Sequence, residues 1–237
     1  MESDCQFYCY RKTREKNKLR IKKHGKIKLV VFDMDGVIID TISSWKYIHD
    51  YFNTSNEESV DEYLKGNIDD LEFIRRDAIL WKENGKFIKK QKLAKIFSNV
   101  KLMKGCVECI KSLKENKIKT AIVSAGLDVL ADLVKKKVDI DYIFCNGVKT
   151  NKEGYITGEG ILQVQLMYKD KNVISLAKKL NIPHENIASV GNSCFDIPMF
   201  EVSGLGIAFN PSDNCVKKAA DYIVTKKDLK KILPLVL

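Results

Sequence analysis

The chain has 237 residues, 45% of them apolar and 30% charged, enough to bury the core of one large domain or of a domain carrying a smaller insertion. No apolar stretch reaches the roughly 18 residues of a membrane helix, and the start is not a basic segment leading into an apolar one, so a cytoplasmic protein without a membrane partner is expected. The net charge of +10 sits mostly at one end: residues 1–28 hold ten Lys or Arg against three acids, a balance of +7, which leaves +3 for the remainder.

Residues 1–27 read as a solvated basic extension. Its charge would meet nucleic acid only through weak, non-specific attraction, and no zinc-finger spacing or aromatic platform accompanies it. Seven cysteines, an odd number scattered along the chain, form no disulfide framework. Cys106 and Cys109 make a CxxC pair, but KGCVECIKSLKEN reads as a helix, so ordinary thiols are expected there rather than a structural zinc.

KLVVFD reads as the first strand, stopped at Asp33 and followed by a turn residue, Gly36. Residues 41–103 then read as largely helical: WKYIHDYF, DDLEFIRRDAILWKE and KKQKLAKIF carry apolar residues at spacings of three and four, with breaks at 53–56, 65–67 and 83–86. From Gly105 the order is helix CVECIKSLKEN, strand KTAIVS, helix LDVLADLVKKK and strand YIFCN, and the glycine-punctuated NGVKTNKEGYITGEG predicts a hairpin. Helix KNVISLAKKLN, strand IASVG, a short helix over 196–202, strand GLGIAF, helix NCVKKAA, strand YIVT and helix KDLKKILPL complete the chain. Such alternation predicts an α/β fold with a Rossmann-like parallel sheet covered on both faces, its core built from 28–40 and 104–237, and a small helical cap inserted at 41–103.

Ligands of such sheets bind beyond the carboxyl ends of the strands. Three strand ends fit: FDMDG after the first strand, SAG at 124–126 after KTAIV, and GNSCFD at 191–196 after IASV. Asp33 and Asp35 alternate around Met34, and two close carboxylates repel unless a cation or a proton lies between them. Mg²⁺ suits the pair, because it binds through a few carboxylates together with phosphate oxygens and water. Such a rim can transfer a phosphoryl group to Asp33, with Asp35 as acid and base, and Ser124, backbone N–H groups and a lysine would receive the charge on the phosphoryl oxygens.

Together these residues resemble the haloacid dehalogenase-like superfamily of aspartate-nucleophile phosphatases, and within it the archaeal phosphoserine phosphatase-like group. DMDGVIIDTISSW, KTAIVSAG and VGNSCFDIPMF resemble its first, second and fourth motifs, and the likeness runs over nearly the whole chain from residue 28. The resemblance implies a Mg²⁺-dependent phosphatase acting on a small phosphorylated metabolite such as phosphoserine. It gives Asp33 the role of nucleophile and Asp35 that of acid and base, with Ser124, Ala125 and Gly126 on the phosphoryl group. Lys169, four residues before Val173, matches the family lysine, with Lys171 as its rival. Asp33, Asp35 through its backbone carbonyl, Asn192 and Asp196 would form the metal shell, Asp196 alternatively pairing with the lysine, and Arg76 resembles the cap arginine that reads a substrate carboxylate.

Two departures stand out. Many relatives have an aspartate where this chain has Asn192, which weakens the expected metal shell. Ile42 and Phe195 stand where true phosphoserine phosphatases carry a glutamate and an asparagine, so a substrate with an apolar portion is an alternative. None of His24, His49 and His184 is assigned a role. A phosphotransferase or mutase of the same fold, a catalytically weak binding module, and a monomer or a homodimer all stay open at this point.

Overall fold

Leu29–Phe32 (β1) is apolar at every position and wholly buried, the pattern of a strand covered on both faces. The computed structural model describes residues 24–237 and sets this strand at the centre of a seven-stranded sheet; all but the last four residues of the expected basic extension lie outside the described residues. The other strands are β4 (Lys119–Leu127), β5 (Tyr142–Thr150), β6 (Ile156–Ile161), β7 (Ile187–Gly191), β8 (Leu205–Phe209) and β9 (Tyr222–Val224). Their spatial order is β6-β5-β4-β1-β7-β8-β9, parallel throughout except for β6, which returns antiparallel along β5 as the predicted hairpin.

Side chains of β1 alternate between the two faces. Val30 and Phe32 pack with the helices Cys106–Glu115 and Asp128–Lys135, whereas Leu29 and Val31 pack with Val173 and Leu176 of the helix Asp170–Leu180. Phe32 lies opposite Ile122 of β4 and Val190 of β7, so the tip of β1 is flanked by both strands, which run on past it. The chain leaves β1 towards β4 on one side and returns as β7 on the other. That reversal makes the tip of β1 the topological switch point of the sheet.

Between β1 and β4 lie the helices Ser44–Phe52, Glu57–Lys65, Asp70–Ala78 and Lys90–Ile96. Ile48, Ile74, Trp81, Leu93 and Phe97 from this insertion join the same apolar cluster as the sheet residues, so insertion and sheet share one core. The helix read over DDLEFIRRDAILWKE stops early, at Ala78. Lys82–Glu83 (β2) and Lys86–Phe87 (β3) form a hairpin instead, because Asn84 and Gly85 both take left-handed backbone angles (φ 49 and 75°), the two-residue turn that matches strand twist.

Ile27 is buried and Gly25 N–H donates to the Glu185 carbonyl at 2.8 Å, so the packed part of the chain begins before residue 28. Among the described residues no helix is long and apolar enough to cross a membrane. Cys106 and Cys109 are free thiols inside the core, and burial pushes both up to about 12.

Candidate active site

Asp33 is the first residue past β1, and its N–H still donates to the Val190 carbonyl at 2.9 Å. The chain then turns at once. The Met34 carbonyl accepts from the N–H groups of Ile38 and Ile39, both at 3.0 Å, and Gly36 takes a left-handed φ of 77° that a side chain would strain. Asn192 packs against that glycine, so a Cβ there would also collide with it. This turn brings Asp35 back beside Asp33.

Asp35 is held by the start of the helix Ser44–Phe52. Its Oδ2 accepts from the Ser44 N–H at 2.8 Å and the Ser44 hydroxyl at 2.9 Å, an anion at a helix N-terminus. The same hydroxyl accepts from Leu127 N–H at 3.0 Å, which ties this helix to the end of β4. Asp35 Oδ1 is buried without a hydrogen-bond partner. Burial, reinforced by the charge on Asp33, pushes the Asp35 carboxyl up to about 7.

Lys169 stands immediately before the helix Asp170–Leu180 and is 2% exposed. Its Nζ donates to Asp33 Oδ1 at 2.9 Å and to Asp196 Oδ1 at 2.7 Å. Burial works against its charge, yet Asp196 and Asp33 outweigh burial and hold the ammonium well above its ordinary range. Burial likewise raises Asp33, with Lys169 opposing the shift. Lys171 lies elsewhere, its Nζ on Gln165 Oε1 at 2.6 Å, so only Lys169 reaches the carboxylates.

Ser124, where the regular pairing of β4 with β5 breaks, is 2% exposed and faces the same cleft. Its Oγ accepts from Gly126 N–H at 3.1 Å, which leaves the hydroxyl proton for a phosphoryl oxygen. The Ala125 carbonyl accepts from Trp45 Nε1 at 2.9 Å. A Cβ on Gly126 would come within 2.8 Å of Met34 Cε and 2.9 Å of Asp35 Oδ2, so this stretch passes the carboxylates too closely for a side chain. The cleft has a volume of about 1190 Å³ and is floored by these strand ends and walled by the insertion helices.

The model of the haloacid dehalogenase-like hydrolases matches residues 27–204. The chain belongs to that family. The phosphoserine phosphatase of Archaeoglobus fulgidus is 32% identical over 209 residues, which is 85% of this chain but only 58% of that protein, so the chain spans little more than half its length. The phosphoserine phosphatase of Methanocaldococcus jannaschii is 29% identical over 214 residues, 88% of this chain and 97% of that protein. A solved phospho-aspartyl intermediate analogue of phosphoserine phosphatase superposes with a TM-score of 0.75 at 27% identity, covering 90% of this chain and 100% of that one.

In this haloacid dehalogenase-like hydrolase, Asp33, Asp35, Ser124, Ala125, Gly126, Lys169, Asn192 and Phe195 all line one cleft. Asp196 is fully buried behind it with both oxygens engaged: Oδ1 takes Lys169, and Oδ2 accepts from the N–H groups of Asn192 and Ser193 at 2.8 and 3.0 Å. It therefore pairs with the lysine and braces the turn bearing Asn192. Arg76 is not brought in. Its Nε donates to Glu72 Oε1 at 2.9 Å, and it does not line the cleft. Ile42 sits at the rim, 87% exposed.

The donor set fits Mg²⁺. Asp33 offers a hard carboxylate oxygen on the cleft beside the Asn192 amide and the Asp35 backbone, while the unpartnered Asp35 Oδ1 is left to carry the proton, since Oδ2 accepts both hydrogen bonds from Ser44.

Three residues escaped the sequence reading. Ser44 was legible only as part of a polar helix start. Asn146, in the middle of β5, is the last residue of that strand to pair with β4; its Oδ1 accepts from the N–H groups of Gln163 and Val164 at 2.9 Å, bracing the segment that leads to Lys169. Asp77, next to Arg75 and Arg76, reads as part of a solvated charged face, yet it is 2% exposed and lines the cleft.

Proposed function

We propose that this protein is a Mg²⁺-dependent phosphomonoester hydrolase acting through a phosphorylated Asp33, on a small phosphorylated metabolite. The observation that carries the reading is the buried Asp33–Lys169–Asp196 array at the switch point of the sheet, with Asp35 beside it. Asp33, Asp35 and Asn192 would hold the metal, which neutralises phosphate charge when bound.

Asp33 attacks phosphorus through its carboxylate while the bond to the ester oxygen breaks, and Asp35 donates its proton to that departing oxygen. Asp35 then takes a proton from a water that attacks the phosphorus, the acyl phosphate bond breaks, and Asp33 is regenerated with release of inorganic phosphate. Ser124 and nearby backbone N–H groups receive the phosphoryl oxygens. Lys169 neutralises the phosphoryl group and keeps the Asp33 side chain on line. We further propose that the helices over 41–103 act as a cap that excludes water from this chemistry. Five free cysteines among the described residues support a reducing, cytoplasmic setting.

Asp33→Asn is expected to lower turnover at least about a thousandfold with little change in thermal stability. Chelation should abolish phosphate release and added Mg²⁺ restore it. In water enriched with oxygen-18, hydrolysis must place solvent oxygen in the released phosphate. Phosphate without the label, or equal rates for wild type and Asp33→Asn, would overturn the mechanism.

A further inference from the structure

The cleft is acidic in a chain whose net charge is +10. Seven carboxylates line it against three lysines, and all three are already ion-paired: Lys46 with Asp50 at 2.6 Å, Lys227 with Asp40 at 2.5 Å and Lys169 with Asp33 at 2.9 Å. On the insertion wall the buried acid is Asp77. Its Oδ2 accepts from Asn56 Nδ2 at 3.0 Å and lies 3.4 Å from His49 Nε2, while its Oδ1 has no hydrogen-bond partner. His49 lines the cleft beside it, its Nε2 likewise without a hydrogen-bond partner, with Nδ1 2.8 Å from Thr54 Oγ1 and its ring edge-on to Trp81 at 5.9 Å between centroids. Buried acceptors are nearly always satisfied, so an unsatisfied carboxylate oxygen on a ligand cleft marks a place where a ligand brings the donor.

We propose that Asp77, framed by Asn56 and His49, binds an ammonium group on the leaving-group side of the substrate, so that the preferred substrates are phosphate esters of amino alcohols lacking a carboxylate. The inference rests on the phosphatase reading and names the substrate class for that site. The arginine expected to read a carboxylate, Arg76, is engaged by Glu72 outside the cleft, and no lysine in the cleft is unpaired. A carboxylate on the leaving group would be pressed against Asp77 with no cation to meet it, and like charges brought together in a desolvated site are strongly disfavoured. An ammonium in the same place completes the hydrogen bonding of Asp77 Oδ1 and neutralises the wall.

The test compares kcat/KM of the full chain, with Mg²⁺, for O-phosphoethanolamine, its uncharged isostere propyl phosphate, O-phosphoserine, phosphoglycolate and p-nitrophenyl phosphate. Phosphoethanolamine is expected to exceed propyl phosphate and phosphoserine by at least about tenfold each, with phosphoglycolate poorest. Asp77→Asn should bring the ratio of phosphoethanolamine to propyl phosphate close to one, and Asp77→Glu should recover part of it. The ratio is internal to each variant, so a general loss of folded protein does not move it. Should neither variant fold, the wild-type panel alone decides. Wild-type preference for phosphoserine or phosphoglycolate, or an unchanged ratio in Asp77→Asn, overturns the inference while leaving the phosphatase reading intact. No Mg²⁺-dependent turnover of any of the five esters overturns both.

Discussion

Asp35 illustrates how an active-site carboxylate weighs on the fold that holds it. Its carboxyl is pushed up from 3.8 to about 7, chiefly by burial, so the folded state binds that proton more tightly than the unfolded chain does. The native state is therefore free of the penalty at acid pH, loses stability as pH rises between about 4 and 7, and carries the full cost above that, on the order of 4 kcal/mol. In chelator, the wild type should melt at a higher temperature at pH 5.5 than at pH 8, and Asp35→Asn should raise the melting temperature at pH 8 while slowing turnover severely. A variant that melts lower than wild type at pH 8 would assign the penalty elsewhere. Lys169 presents the opposite case. Lys169→Met would strand Asp33 and Asp196 as unpaired buried acids, and a urea midpoint should register a loss of about 3–5 kcal/mol. Asp33, Asp35 and Lys169 were legible because their motif spacing reports them. The placement of Arg76 and Asp77 was not, because one residue on a helix turns a side chain by about 100° and charge pattern alone does not say which faces the cleft.

Strand ends and turns, rather than helix faces, carried the legible information. Apolar runs that stop at FDMDG, SAG and GNSCFD place small and polar residues on one rim, and the sheet order sets β4 and β7 on either side of β1. Asn146 closes the apolar run YIFCN where β5 stops pairing with β4, although the strand itself continues to Thr150. The break read at 83–86 is the turn of the β2–β3 hairpin, but β2 itself was hidden in the last residues of an apolar pattern of helical spacing; the turn chemistry of Asn84-Gly85 outweighed the periodicity. The irregular end of β4 offers the sharpest test at this scale. Gly126→Ala would drive a methyl group into Met34, Ser44 and Asp35, each within 2.9 Å of the new Cβ. Relief requires shifting either the Asp35 carboxylate or the helix bound to it, so kcat should fall by at least about tenfold while the melting temperature drops by an amount typical of overpacking, about 1–3 kcal/mol. Wild-type kinetics in that variant would show that the strand end yields instead.

Across the whole molecule, the alternation of strands and helices was readable because each element had to bury one stripe or two faces, and that demand shapes composition directly. The edges of the units were harder to read. The insertion shares its apolar cluster with the sheet through Ile48, Ile74, Trp81 and Leu93, so no shift in composition separates cap from core. The same holds at the beginning of the packed chain. The run of lysines hides an anchor: Asn186 Nδ2 donates to the Lys26 carbonyl at 2.5 Å, Lys28 N–H donates to the Asn186 carbonyl at 2.8 Å, and Ile27 between them is 4% exposed. This anchor leads directly into β1, whose tip positions Asp33, so losing it would loosen the register of the central strand. Every residue lining the cleft lies beyond position 32. Removing residues 1–23 should therefore leave both melting temperature and turnover of a small phosphate ester close to those of the full chain. Removing residues 1–28 should lower the melting temperature clearly, since it exposes the pairing partners of this segment and deletes a buried isoleucine, a change worth about 2–5 kcal/mol where a large side chain is cut from a core. Equal stability of the two truncations would place the true start of the packed core at β1 itself, whereas lost turnover in the shorter truncation, with its melting temperature intact, would give the basic segment a part in substrate capture.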